Sequence, residues 1–226
     1  MNASALVTGG GKRIGRAIAL GLAKKGYDIA LHYNTSGREA RTLAGEIESA
    51  GRRVGLFQAD LSDMKQVSSL AGRVFDAFAD LSVLVNNAAI FERAGLAETD
   101  EDIFERHFNI NFKAPFFLSR EFARRCRKGQ IINLLDAKIT DNVTSYFAYT
   151  LSKKALMNFT ELAAKALAGR IQVNGVAPGL VLPAEGEAAT GQTGSEQDVV
   201  TAVIRLLEND KITGQCIFVD GKQDVK

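Results

Sequence analysis

The chain has 226 residues, 46% hydrophobic and 24% charged, a globular composition that excludes a disordered, collagen-like or disulfide-scaffold polypeptide. At this length one domain around a single large sheet, spanning 1–226, is favoured over two small ones. The 28 basic and 26 acidic residues leave a formal charge of +2, too balanced to mark a nucleic-acid or membrane-surface protein, and two cysteines with two histidines supply neither a disulfide framework nor a zinc ligand set.

Met1-Asn2-Ala3-Ser4 runs straight into Ala5-Leu6-Val7, and no apolar run reaches bilayer-spanning length, so a cytoplasmic protein without a secretory leader is expected. Apolar runs of strand length occur at 4–8, 28–33, 53–58, 82–86, 130–134, 170–176 and 215–219. Between them lie amphipathic stretches. The first, 13–25, carries Ile14, Ala17, Ile18, Gly21 and Leu22 on one stripe and stops at Gly26. This alternation predicts an α/β fold, a Rossmann-type doubly wound parallel sheet of about seven strands with helices on both faces. Residues 183–195, rich in Gly, Ala, Glu and Thr, read as a mobile surface loop.

Directly after the first strand comes Thr8-Gly9-Gly10-Gly11-Lys12-Arg13-Ile14-Gly15, opening the first helix. A pyrophosphate needs backbone N–H donors at a helix N-terminus and no Cβ in the way, so nucleotide binding through Gly9, Lys12, Arg13 and Ile14 is expected. NAD-binding turns of this kind place an acid at the end of the second strand, where this chain has Tyr33-Asn34-Thr35-Ser36. With no carboxylate there to repel a 2′-phosphate, and Lys12, Arg13 and Arg38 as candidate cations, the expected cofactor is NADP(H), with Tyr33, Asn34 and Thr35 among its contacts. Arg38 is either a phosphate contact or a solvated charge of the second helix. After the third strand, Asp60-Leu61 offers an adenine contact, or Asp60 caps the helix that follows.

Tyr149-Thr150-Leu151-Ser152-Lys153 opens a segment of helical period over 151–167, with Tyr149 and Lys153 on one helical face. A carbonyl or imine accepting hydride needs a proton donor, and a tyrosine serves at neutral pH when a neighbouring ammonium lowers its pKa. Tyr149 and Lys153 are therefore candidate catalytic residues.

At this point the whole chain resembles the short-chain dehydrogenase/reductase family. The resemblance rests on the turn at 8–15, Asn86-Asn87-Ala88-Ala89 after the fourth strand, Asn111 in the following helix, Tyr149 with Lys153, and Val173-Asn174-Gly175-Val176-Ala177-Pro178-Gly179. It implies a proton relay of Asn111, Tyr149 and Lys153, in which the asparagine helps hold a water beside the lysine. It also implies cofactor contacts from Asn87, Ala88, Tyr149, Lys153, Pro178 and Gly179. A homotetramer or homodimer is implied as well, paired through the helices containing 111–125 and 151–167, where Leu156, Phe159 and Leu162 serve either the chain's own sheet or a partner.

Two departures are informative: Arg13 stands where the family's turn has glycine, and Asp136 replaces the usual serine after the fifth strand. Both are similar to the pteridine reductase branch, as are Leu31-His32-Tyr33, the run from Tyr146 to Lys153, and Phe91, placed where that branch stacks an aromatic ring on the pterin. Arg13, Phe91, Asp136 and Tyr149 are the implied substrate contacts. An aspartate can accept hydrogen bonds from a pterin's amino and ring N–H groups or carry a proton, as a serine does less well. Ala89 stands where that branch often has serine, and 180–195 is shorter than the family's helical flap, which implies an open pocket.

The expectation is NADPH-dependent reduction of a small molecule, a dihydropterin or dihydrofolate. A generic carbonyl or 3-oxoacyl-thioester reductase is the enzyme alternative, and would be expected to keep the serine and glycine that Asp136 and Arg13 replace. A non-catalytic NADP(H)-binding regulator is the other, and has no need of Tyr149.

Overall fold

Strand β1 (Ser4–Val7) is buried along its whole length, and its side chains divide between two cores: Ala5 and Val7 join one apolar cluster, Leu6 the other. A period of two has this effect when both faces of a sheet are covered. The computed structural model, which describes residues 3–179 and 194–220, repeats the division in β2 (Asp28–Tyr33), β4 (Leu81–Asn86), β5 (Gly129–Leu134) and β6 (Ile171–Pro178). With β3 (Val54–Gln58) and β7 (Cys216–Val219) these make a seven-stranded, all-parallel sheet of order β3-β2-β1-β4-β5-β6-β7.

Helices α1 (Arg13–Lys24), α2 (Gly37–Ser49) and α7 (Glu196–Leu207) cover the first face, and α3 (Met64–Ala77), α5 (Ala114–Arg125) and α6 (Phe147–Ala166) the second. Helix α1 buries Ile18, Ala19, Leu22 and Ala23, and ends where Gly26 turns left-handed at φ 94°. There Gly26 N–H donates to Ala23 O at 2.9 Å and Tyr27 N–H to Leu22 O at 3.1 Å, so two carbonyls at the helix end are satisfied. Helix α7 is opened by a reciprocal cap between Ser195 and Asp198. No helix among the described residues is long and apolar enough to cross a membrane.

Each expected strand is present, displaced at its ends by no more than two residues. Helix α6 starts four residues before the 151–167 segment, at Phe147, so Tyr149 lies inside its first turn. The expected loop at 183–195 lies, apart from 194 and 195, outside the described residues.

The order reverses at β1, whose neighbours are β2 and β4. In sheets of this kind a ligand crevice forms beyond the carboxyl ends of the strands at such a reversal.

Candidate active site

A cavity of about 570 Å³ opens at that reversal. Its floor is tied together by side chains. Thr8 Oγ1 accepts the N–H groups of Asn87 at 2.9 Å and Ala88 at 3.1 Å, while Asn87 Nδ2 donates to the carbonyls of Thr8 at 2.8 Å and Gly9 at 3.1 Å. The turn after β1 is thereby bound to the segment after β4, and the Asn87 Nδ2 donors are spent on this tie. Gly9 sits at φ 62°, and a Cβ there would lie 2.9 Å from Ala88 Cα, so both conformation and space demand glycine.

Arg13, the departure from the glycine pattern, has φ 50° and begins α1. The family's glycine is explained by that left-handed backbone, which the arginine adopts at a steric cost. Beneath the turn lies His32, which sequence reasoning noted only as part of a resemblance. Its Nδ1 accepts Gly9 N–H at 3.1 Å and its Nε2–H donates to Ala59 O at 3.1 Å, a pattern that requires the neutral ring. Burial lowers its pKa to about 4.

Beyond β2, Asn34, Thr35 and Ser36 line the cavity. Tyr33 does not; it packs on the first apolar cluster, with Gly37 against its ring. Lys12, a candidate cation for the phosphate, is paired at 2.8 Å with Glu39 in the first turn of α2 and holds that carboxyl below its usual range. Exposed Arg38 lies outside the cavity lining. Asp60 lines the cavity but does not cap α3: Asp63 does, accepting Lys65 N–H at 2.8 Å, while Asp60 Oδ1 takes the N–H and Oγ–H of Ser62.

At the other end of the cavity, Tyr149 O–H donates to Asp136 Oδ2 at 2.6 Å, and Asp136 Oδ1 accepts Lys138 N–H at 2.7 Å, capping the short helix Ala137–Ile139. Lys153 is buried and donates from Nζ to Leu134 O at 2.7 Å, with Nζ 5.9 Å from the Tyr149 ring centroid. The expected lowering of the tyrosine pKa by the lysine is therefore corrected. Burial first, then the adjoining Asp136 carboxylate, raise Tyr149 well above 10, so it stays a phenol at neutral pH. Burial lowers Lys153 to about 8, against the pull of Asp136.

Asn111 occupies a five-residue π turn, Asn109–Lys113, between α4 (Glu101–Phe108) and α5. Its Oδ1 accepts Ile90 N–H at 2.9 Å, and its Nδ2 donates to Ile90 O and Ser152 Oγ, both at 3.1 Å. Ser152 Oγ in turn donates to Tyr149 O at 2.7 Å. The side chain thus anchors the segment leading to Phe91 onto α6, and it does not line the cavity. Phe91, 42% exposed, is stacked on Tyr146 at 4.1 Å between centroids and meets Tyr149 edge-on at 4.6 Å.

All the expected site residues except Tyr33, Asn111 and the candidate cation Arg38 line this one cavity. Thr8 and His32, which position its turn, were not among them. Among the described residues no group of three or more His, Cys, Asp or Glu could hold a metal ion.

The family model for short chain dehydrogenase matches residues 3–193. A 3-oxoacyl-[acyl-carrier-protein] reductase, FabG, of Staphylococcus aureus is 33% identical, with 98% of each chain covered. Among solved structures, FolM alternative dihydrofolate reductase 1 from Brucella suis, in complex with NADP, has a TM-score of 0.90 at 35% identity, over 97% of this chain and 94% of that one. Its counterpart from Brucella canis, also complexed with NADP, has a TM-score of 0.92 at 32% identity, over 100% and 98%.

Proposed function

The chain belongs to the short-chain dehydrogenase family, and from that premise we propose that it is an NADPH-dependent reductase of dihydropterins or dihydrofolates. The observation that carries the reading is the 2.6 Å bond from Tyr149 to Asp136, a carboxylate where the family's usual residue is a serine, beside the exposed ring of Phe91. The likeness to the two FolM structures supports the same choice.

The residues fit the cofactor. A Cβ at Gly9 or at Gly11 would collide with Ala88 or Ser36, so these glycines keep open a cradle at the start of α1, and residues 33–36 contain no acid. Gly9, Arg13 and Ile14 would hold the diphosphate, with Lys12, Asn34, Thr35 and Ser36 toward a 2′-phosphate, Asp60 and Leu61 toward the adenine, and Asn87, Ala88, Pro178 and Gly179 along the rest of the crevice. When bound, NADPH supplies the hydride.

The remaining chemistry belongs to the chain. Phe91 provides a flat face for the pterin ring, and Arg13 offers donors near both phosphates and ring edge. Tyr149 holds a proton toward the ring nitrogen that must gain one. Its high pKa keeps that proton in place until hydride transfer makes the nitrogen basic. Asp136 accepts the Tyr149 O–H and so fixes where that oxygen sits, and once Tyr149 has given its proton up the oxygen takes another from solvent at the mouth of the cavity. Lys153 sets positive charge beneath the pair, and Asn111 positions Ile90 and α6.

A homodimer or homotetramer completes the reading. Leu156 is buried in its own protomer, but Leu162 is 67% exposed, and Phe104 and Phe116 are partly bare on a ladder of ring contacts through Phe108, Phe112 and Phe159. These are apolar residues that a second copy would cover.

The test is NADPH oxidation, followed optically, with dihydrobiopterin, dihydrofolate, an acetoacetyl thioester and simple ketones in parallel. Turnover of the first two well above the others is expected. Turnover of the thioester alone would instead support a 3-oxoacyl reductase, the activity named for the S. aureus relative.

A further inference from the structure

We propose that Lys138 selects among dihydropterins by seating an anionic tail, so that the pocket favours a substrate whose ring carries a carboxylate-bearing tail, as in dihydrofolate, over one with a neutral tail. The inference rests on the dihydropterin reading and adds to it.

Lys138 lines the same cavity and is half-buried. Its backbone N–H is held at 2.7 Å by the carboxylate that also accepts the Tyr149 hydrogen bond, so the side chain starts from a fixed point beside the reacting groups. Its Nζ lies 4.8 Å from the Phe91 centroid and 5.3 Å from that of Tyr146, and the two rings are 4.1 Å apart and nearly parallel. Those three distances put the ammonium alongside the stack instead of capping it. The faces of the rings stay clear of it, while anything extending from a ring stacked on Phe91 passes within reach.

Beside the ring edges the quadrupoles offer this cation no attraction, and the rings carry no net charge to neutralise it. Among the described residues Lys138 forms no ion pair, whereas Lys12 is paired with Glu39 and Lys153 is buried against a carbonyl. An ammonium partly withdrawn from water, at the wall where the substrate stacks, is completed by an anion that the substrate brings. A neutral hydroxyalkyl tail does not bring one; the glutamyl tail of a dihydrofolate does.

The test measures kcat/KM with NADPH for dihydrofolate and for dihydrobiopterin in the parent, Lys138→Gln and Lys138→Arg. The dihydrofolate-to-dihydrobiopterin ratio is expected to fall about tenfold in Lys138→Gln, through KM and not kcat, and to return in Lys138→Arg. Added salt should lower the parent's ratio and leave that of Lys138→Gln flat. A ratio unchanged by Lys138→Gln, in a parent that reduces both substrates, overturns the role of Lys138 and leaves the dihydropterin reading standing. A parent that reduces neither substrate overturns that reading, and this one with it.

Discussion

Acidification should loosen the fold through His32, the ring under the glycine turn. Its neutral form bridges Gly9 N–H and Ala59 O, and a second proton would set a donor against the Gly9 donor. Burial is the main cause of its pKa of about 4, against an ordinary 6.5; Arg73 adds to the lowering, while the Ala59 carbonyl and Asp60 oppose it. Between those two values the unfolded chain binds this proton and the folded chain does not. Stability from His32 is therefore full above about pH 6.5 and is lost as pH falls toward about 4. Linkage puts the loss at about 2 kcal/mol at pH 5 and about 3 kcal/mol below pH 4. For a domain of this size, about 2 kcal/mol corresponds to roughly 4–8 °C in Tm. Other groups titrate in the same range, so the assay is a difference: urea unfolding of the parent and of His32→Gln at a series of pH values from about 7 to 5. The stability gap between the two proteins should narrow by about 2 kcal/mol across that series. Parallel profiles would show that His32 takes its proton as readily folded as unfolded, and would refute the buried neutral bridge.

Three further outcomes follow from the site. Tyr149→Phe should bind NADPH but lose at least about a hundredfold in kcat, since ring packing survives and the proton donor does not; activity within about tenfold of the parent, about 1.4 kcal/mol on the barrier, would mean another acid does the work. Asn34→Asp should shift the ratio of NADPH to NADH dissociation constants toward NADH by placing an acid where a 2′-phosphate would lie, and an unmoved ratio would remove residue 34 from the cofactor site. Sedimentation at micromolar concentration should show a dimer or larger, and a stable monomer would leave Leu162 and Phe116 without the proposed cover.

The five inner strands were legible because strands buried on both faces must be apolar runs, the partly exposed edge strands β3 and β7 because they too are short apolar runs, and the turn at Gly9 because only glycine meets its steric demand. What escaped the sequence depends on contacts between distant segments. The start of α6 is capped by no side chain of Tyr146, so no capping residue marked it. The Lys12 pair with Glu39 joins a turn to another helix, and no periodicity reports it. Asn111 reads as an ordinary helical residue until the π turn rotates it onto Ile90 and Ser152. Helical spacing alone pairs Tyr149 with Lys153 and points its pKa down, whereas the fold buries the phenol and brings Asp136 nearer still, which raises it.

Asp136→Ser tests most directly whether the carboxylate at this position is what would turn a short-chain reductase toward dihydropterins. A serine oxygen can still cap Lys138 N–H, so the loop keeps a support, but the carboxylate at Tyr149 is gone. The quantity to measure is kcat/KM for dihydrobiopterin divided by kcat/KM for an activated simple ketone, before and after the change, with NADPH affinity determined separately. A fall of about a hundredfold or more in that ratio is expected, at unchanged cofactor affinity. An unchanged ratio, or a parent protein that does not reduce dihydrobiopterin at all, would contradict it.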